Sequence, residues 1–257
     1  MWGLDRASRR ARWLRRNPIA TADWQATIAA APVLHHLSSD ELRRLHDLSV
    51  LFLRDREITG CAGFVVDDTL RRFIAAQACL LVLELDLDAF AAVRSVLVYP
   101  SGFRARRSDE DELGIVTEEY EDLLGESWHR GPVVLNHDDL LDVSEDDAFN
   151  LVIHEFAHQL DMLDDEPDGV PPLHPDMDAD AWRRDFAAAR EAIAALDAQG
   201  VDSAIDPYAA TDAAESFAVF SETFFATPAL LHAELPAIYA QLRAFYRQDP
   251  LARGARH

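Results

Sequence analysis

Hydrophobic residues recur every three or four positions along much of this chain, the spacing that places them on one face of a helix. The pattern predicts helices over residues 21–31, 39–54, 68–84, 144–162, 179–196, 212–226 and 236–247. Short apolar runs predict strands at 93–99 and 131–136, and the charged stretch 104–124 is compatible with strands or a hairpin. Many helices, with a few strands grouped before the central helix, predict a mostly helical α+β fold.

The helix predicted over 144–162 contains polar groups that an ordinary buried helix does not carry. Ser144 is its expected cap, with Asp146 and Asp147 in the first turn, where the helix dipole favours acids. Apolar residues flank the segment His154-Glu155-Phe156-Ala157-His158, which indicates that the helix is buried. Because each unpaired buried polar group costs free energy, these histidines and the glutamate indicate a functional site.

The spacing of His154 and His158 is that of a metal site. Side chains four residues apart on a helix lie one above the other on the same face. Both imidazoles can therefore reach one ion at the roughly 2.0–2.1 Å that zinc requires. Glu155 projects beside that ion, where it can accept a proton from zinc-bound water. The HExxH pattern thus predicts a zinc-dependent peptidase with Glu155 as general base.

A catalytic zinc site also needs a third protein ligand, and the helix predicted over 212–226 offers two acids. Glu215 and Glu222 point to the same side, but a rise of 1.5 Å per residue separates their backbones by roughly 10 Å. One ion can take only one of them directly. We expect Glu215, because it stands near the start of the helix, after Thr211 as a candidate cap, and Glu222 is left for a supporting role. Asp161, one turn beyond His158, is a candidate hydrogen-bond partner for a ligand histidine.

Three segments resemble one known family. They are His154-Glu155-Phe156-Ala157-His158-Gln159-Leu160-Asp161, the run from Asp206 to Glu222, and the ending Phe245-Tyr246-Arg247-Gln248-Asp249-Pro250. Gly131-Pro132-Val133-Val134-Leu135 matches the family's strand near its site. On these residues the chain, from about Asn17 onward, resembles the Mlc titration factor A family of bacterial zinc peptidases. The catalytic half of that family is similar to the peptidase domain of anthrax lethal factor.

The resemblance implies a zincin-like domain with a small β-sheet beside the HExxH helix. It implies His154, His158 and Glu215 as ligands of one Zn²⁺ per chain, and Glu155 as general base. Tyr208, seven residues before Glu215, would be the phenol that stabilises the oxyanion. The substrates would be peptides or proteins, cleaved in an aminopeptidase-like manner. The resemblance also motivates an alternative function, a regulatory protein that sequesters a transcriptional repressor of the Mlc type.

Composition and the distribution of apolar residues limit which classes of partner and which cellular location are expected. Acids outnumber bases 46 to 24, for a formal net charge of −22, which argues against nucleic-acid binding because phosphates favour a basic surface. The longest apolar run, about 75–83, is far shorter than the roughly 20 residues of a membrane span. The two cysteines, Cys61 and Cys79, form no CxxC motif, and we interpret both as reduced, which favours a cytoplasmic protein.

The chain is expected to have two parts. Residues 1–20 form a basic N-terminal arm, interpreted as a solvated helix face or a mobile arm. Residues 21–257 form a single peptidase domain, with a helical part at about 21–90 and a catalytic part at about 91–257. The arginines of the arm are Arg6, Arg9, Arg10, Arg12, Arg15 and Arg16.

Overall fold

The computed structural model describes residues 2–100, 131–141 and 148–254, with side chains from Arg6 onward. The first helices are α1 (Trp2–Arg16), α2 (Thr21–Ala30), α3 (Ser39–Asp55), α4 (Asp68–Leu81) and α5 (His137–Leu141). The later helices are α6 (Leu151–Asp161), α7 (Ala179–Ala198), α8 (Ala213–Ala226), α9 (Pro228–Glu234), α10 (Pro236–Tyr246) and α11 (Pro250–Gly254). The strands are β1 (Glu57–Gly60), β2 (Ser95–Tyr99) and β3 (Val133–Asn136).

The strands form one parallel sheet in the order β1-β2-β3. Val96 of β2 is in register with Ile58 of β1 and with Val133 of β3, and all three side chains are buried. In a parallel sheet the carboxyl ends of the strands meet at one edge, so Gly60, Tyr99 and Asn136 end side by side. The mostly helical α+β prediction is confirmed. The strand β1 was not predicted from the sequence. The stretch 104–124, for which strands or a hairpin were considered, lies outside the described residues.

The central helix α6 packs chiefly against α8, and also against α4 and β3. Its Phe156 is fully buried between the rings of Phe52 and Phe90, whose centroids lie 5.7 and 5.0 Å away. The site helix therefore rests on the core rather than on the surface, which limits how far its polar side chains can move.

Two predicted helix starts are wrong. The helix α6 begins at Leu151, because Asn150 has an extended backbone and its side chain accepts the Ile153 N–H at 3.0 Å. Ser144, the cap expected from the sequence, lies outside the described residues, as do Asp146 and Asp147. The cap of α8 is Asp212, whose side chain accepts the Glu215 N–H, while Thr211 closes the preceding 3₁₀ turn.

The basic N-terminal segment forms the helix α1. Arg6 and Arg10 both bond to the carboxylate of Asp88, in a 3₁₀ turn before β2. The proposed division of the chain at residue 20 stays a prediction. Among the described helices, none has the length and apolarity needed to cross a membrane.

Candidate metal centre

His154 and His158 lie one turn apart on α6 and direct the same ring atom at one point. Their Nε2 atoms are 3.1 Å apart, and the two rings are nearly perpendicular. Side chains four residues apart share a helix face, so this convergence follows from the HExxH spacing. His158 is buried and His154 is largely so.

Glu215 reaches the same point from the first turn of α8. Its Oε2 lies 3.1 Å from His154 Nε2 and 3.5 Å from His158 Nε2. The Asp212 cap holds the Glu215 backbone at 2.9 Å, and Ser216 Oγ donates to the Ala209 carbonyl at 2.6 Å. The start of α8 is thus tied to the preceding turn, which sets where the Glu215 carboxylate projects.

These three atoms have the separations of a metal-ligand set. Donors held tetrahedrally around zinc lie about 3.3 Å from one another, and the three distances here are 3.1, 3.1 and 3.5 Å. Glu215 Oε2 is buried and makes no well-aligned hydrogen bond within the described structure. Burial opposes the charge on Glu215, yet contacts from His154 and His158 hold its pKa well below the usual value. His154, His158 and Glu215 could therefore hold a metal ion.

Glu155 adjoins the three donor atoms without being one of them. The residue is only partly exposed, and its carboxylate interacts electrostatically with His154, His158 and Glu215. Burial raises the pKa of Glu155, and the neighbouring His154 and His158 oppose that rise. A carboxylate whose pKa moves toward neutrality is better suited to accept and return a proton.

Tyr208 lies on the exposed side of the centre. It belongs to a 3₁₀ turn, Pro207–Ala210, which ends shortly before α8. The residue is 45% exposed, and the centroid of its ring is 6.2 Å from that of His154. The phenol is therefore next to the metal-ligand set and accessible from solvent.

The nitrogen of His154 that faces away from the centre contacts Glu222. The distance from Nδ1 to Glu222 Oε1 is 2.7 Å, and the carboxylate is almost fully buried. Asp161, the candidate from the sequence, instead accepts the Gly169 N–H at 3.0 Å. The sequence predicted a supporting role for Glu222 but did not identify His154 as its partner. The feature that could have indicated this contact is the position of Glu222 two helical turns after Glu215, on the same side of the helix.

Two further residues of this region were missed. Asn150 caps α6 and bonds to Glu222, and Gln77 bonds to the Asn150 side chain. An asparagine directly before a buried helix is a recognisable cap. A glutamine within the apolar helix α4 is a weaker hint that its amide has a partner.

Comparisons with known proteins identify the family of this chain. The family model described as glucose-regulated metallo-peptidase M90 matches residues 5–247. A protein named Mlc titration factor A from Klebsiella pneumoniae is 40% identical over 237 residues, covering 91% of this chain and 89% of the relative. A protein of the same name from Salmonella agona is 38% identical over 245 residues, covering 94% of this chain and 92% of the relative. The chain belongs to the M90 metallopeptidase family, and the resemblance noted in the sequence is confirmed.

Proposed function

We propose that this M90 metallopeptidase is zinc-dependent and hydrolyses peptide bonds with a water that Glu155 activates. The observation that carries the proposal is the convergence of His154 Nε2, His158 Nε2 and Glu215 Oε2 on one point. Two imidazoles and one carboxylate are a donor set typical of catalytic zinc, which keeps a fourth position open for water or substrate. One ion per chain accounts for all three side chains.

When bound there, zinc supplies Lewis acidity that makes a water more acidic and polarises the scissile carbonyl. Glu155 takes the proton of the attacking water and later passes it to the leaving amine. The Tyr208 phenol donates a hydrogen bond to the oxygen that becomes negatively charged as the carbonyl is attacked. The exposed side of Tyr208 marks the direction from which the peptide approaches.

Replacing Glu155 with Gln tests the chemical role of its carboxylate. The amide has nearly the same shape but cannot take a proton, so turnover should fall by at least about 10³-fold. Zinc content, measured by elemental analysis of the purified protein, should match wild type, since Glu155 is not one of the three donors. Wild-type turnover by the Gln variant on any cleaved peptide would refute the assignment.

The proposal includes aminopeptidase-like cleavage and a cytoplasmic location. Cys61 and Cys79 form no disulfide, which suits a reducing compartment. The cleavage mode can be tested with a peptide library in which each member has a free or an acetylated amino terminus. Preference for free amino termini would support the aminopeptidase mode, and equal cleavage of both sets would refute it.

A second function is suggested by the relatives' name, Mlc titration factor A. We propose as an alternative that this chain sequesters a transcriptional repressor of the Mlc type, with peptidase activity regulated by or incidental to that contact. The test is capture of such a purified repressor by wild type and by the Glu155→Gln variant. Capture by both would support a binding role that is independent of catalysis, and no capture by wild type would eliminate this function.

A further inference from the structure

Both carboxylate oxygens of Glu222 contact residues of α6 or its N-terminal cap. Oε1 is 2.7 Å from His154 Nδ1, and Oε2 accepts the backbone N–H of Asn150 at 2.5 Å. The side chains of Glu222 and Asn150 are almost fully removed from solvent. The carboxylate therefore joins the start of α6 to an imidazole one turn further along the same helix.

Asn150 extends this connection to a third helix. Its Oδ1 caps α6 through the Ile153 N–H at 3.0 Å, and its Nδ2 donates to Gln77 Oε1 at 2.6 Å. The hydrogen bonds Gln77–Asn150–Glu222–His154 thus connect α4, α6 and α8. Because every member is bonded and largely buried, rotation of the His154 ring would leave buried polar atoms unpaired, which costs free energy.

We propose that Glu222 is the positioning residue of the centre, holding His154 with its proton on Nδ1 so that Nε2 is the metal-binding atom. The inference rests on the proposed function in that a metal is held by His154. His154 Nδ1 lies 2.7 Å from Glu222 Oε1, and a carboxylate oxygen accepts hydrogen bonds, so the ring nitrogen facing Glu222 is the donor. The opposite nitrogen then has its lone pair directed at the centre. Ligand histidines are commonly fixed in this way through their second nitrogen.

A Glu222→Gln substitution exposes this role, because an amide has one acceptor and one donor where the carboxylate has two acceptors. The Asn150 N–H can only donate, so it keeps the amide oxygen. The amide NH₂ then faces His154 Nδ1, which must accept a hydrogen bond and move its proton to Nε2. That proton blocks the lone pair required for the metal.

The experiment measures zinc affinity by chelator competition for wild type, Glu222→Gln and a matched control, Ser221→Ala. Ser221 is buried on the same helix and bonds to the Phe217 carbonyl and to the Tyr246 hydroxyl, so its loss disturbs α8 without contacting His154. We expect zinc binding to weaken by about 10–100-fold in Glu222→Gln and to be unchanged in Ser221→Ala. Affinity within about threefold of wild type in both variants would overturn the inference.

Nitrogen NMR of the imidazole in metal-free protein provides the second measurement, because no metal then decides which ring nitrogen carries the proton. Wild type should show a protected Nδ1 proton on His154, and Glu222→Gln should lose it while Ser221→Ala keeps it. Persistence of that proton in the Gln variant would overturn the inference. Zinc binding without peptide cleavage would refute the proposed peptidase but leave Glu222 in its role, so the two failures can be told apart.

Discussion

The contact between α6 and α8 and the contact of α1 with Asp88 both join distant parts of the chain through charged groups, but in opposite surroundings. At the first contact the Glu222 side chain is 5% exposed and that of His154 is 12% exposed. At the second, the side chains of Arg6 and Asp88 are 59% and 44% exposed. Similar bond lengths therefore do not imply similar consequences.

The difference between the two contacts lies in what each group would face if its partner were removed. A charged group left without its partner near Asp88 is hydrated by solvent, so exposed ion pairs contribute only roughly 0–1 kcal/mol to the free energy of unfolding. A carboxylate between α6 and α8 would be left buried and unpaired, which is far more costly. We therefore expect substitutions in the centre to change metal binding and catalysis, and substitutions at α1 to have small effects on stability alone.

The largest effect is expected for Glu215→Ala. Removing this carboxylate leaves two histidines around the ion, so zinc affinity should fall by more than the roughly 10–100-fold caused by losing an outer hydrogen-bond partner. Activity at limiting zinc should disappear. The control is Glu222→Ala on the same helix, which should bind zinc better than Glu215→Ala does. The reverse order of affinities would mean that the wrong carboxylate was chosen as ligand.

Tyr208→Phe should affect the rate while leaving the metal in place. Loss of one donor to a developing oxyanion typically lowers kcat by about 10²–10³-fold. Since Tyr208 is 45% exposed, removing its hydroxyl should leave the melting temperature and the zinc content at wild-type values. Steady-state kinetics on a cleaved peptide provide the measurement. A kcat within about threefold of wild type would remove Tyr208 from the mechanism.

Within the candidate centre, local spacing was predictable and long-range partners were not. His154, Glu155 and His158 share little more than one helical turn, so the helix itself determines how they are arranged. Glu215 could be selected only by its place near the start of a later helix. Gln77 is more than 70 residues from Asn150 along the chain, and no local pattern identifies such a pair. The chemical roles of these residues stay predictions.

The same distinction applies to the fold. Long periodic segments such as α3 and α7 were predicted to within a residue or two of their ends. The short strand β1 was missed because four residues carry too little pattern, and its structure depends on pairing with β2. The start of α6 was placed too early because Ser144 and Asn150 are both suitable caps by residue type. The bond from Asn150 N–H to Glu222 is a tertiary contact that the sequence does not reveal.

Asp161 provides a test through pH. Burial is the largest influence on its carboxyl group and raises the pKa to about 7. Its buried Oδ1 has no hydrogen-bond partner among the described residues. A carboxyl whose pKa is higher in the folded protein binds more protons there, so stability falls as pH rises from roughly 4 to about 7. Asp161→Asn should remove this loss, making the variant more stable relative to wild type at pH 8 than at pH 5.

Urea unfolding of metal-free protein at the two pH values measures the effect, with an exposed aspartate of α7 changed in Asp197→Asn as control. The control variant should follow the wild-type pH dependence. The same pH dependence in Asp161→Asn as in wild type would show that Asp161 does not cause it.

The smallest effect is expected at α1. Arg6→Ala and Arg10→Ala each remove a bond to Asp88, whose side chain is 44% exposed, so each should lower the unfolding free energy by about 0.2–1 kcal/mol. Salt at 1 M should reduce the difference, because it screens interactions between exposed charges that are more than about 3 Å apart. Arg253→Ala serves as the comparison with a buried ion pair. It breaks the pair between Arg253 and Glu41, in which the Arg253 side chain is only 6% exposed. That loss should cost about 3 kcal/mol or more. Equal losses at both places, measured by urea unfolding, would contradict burial as the feature that separates the two regions.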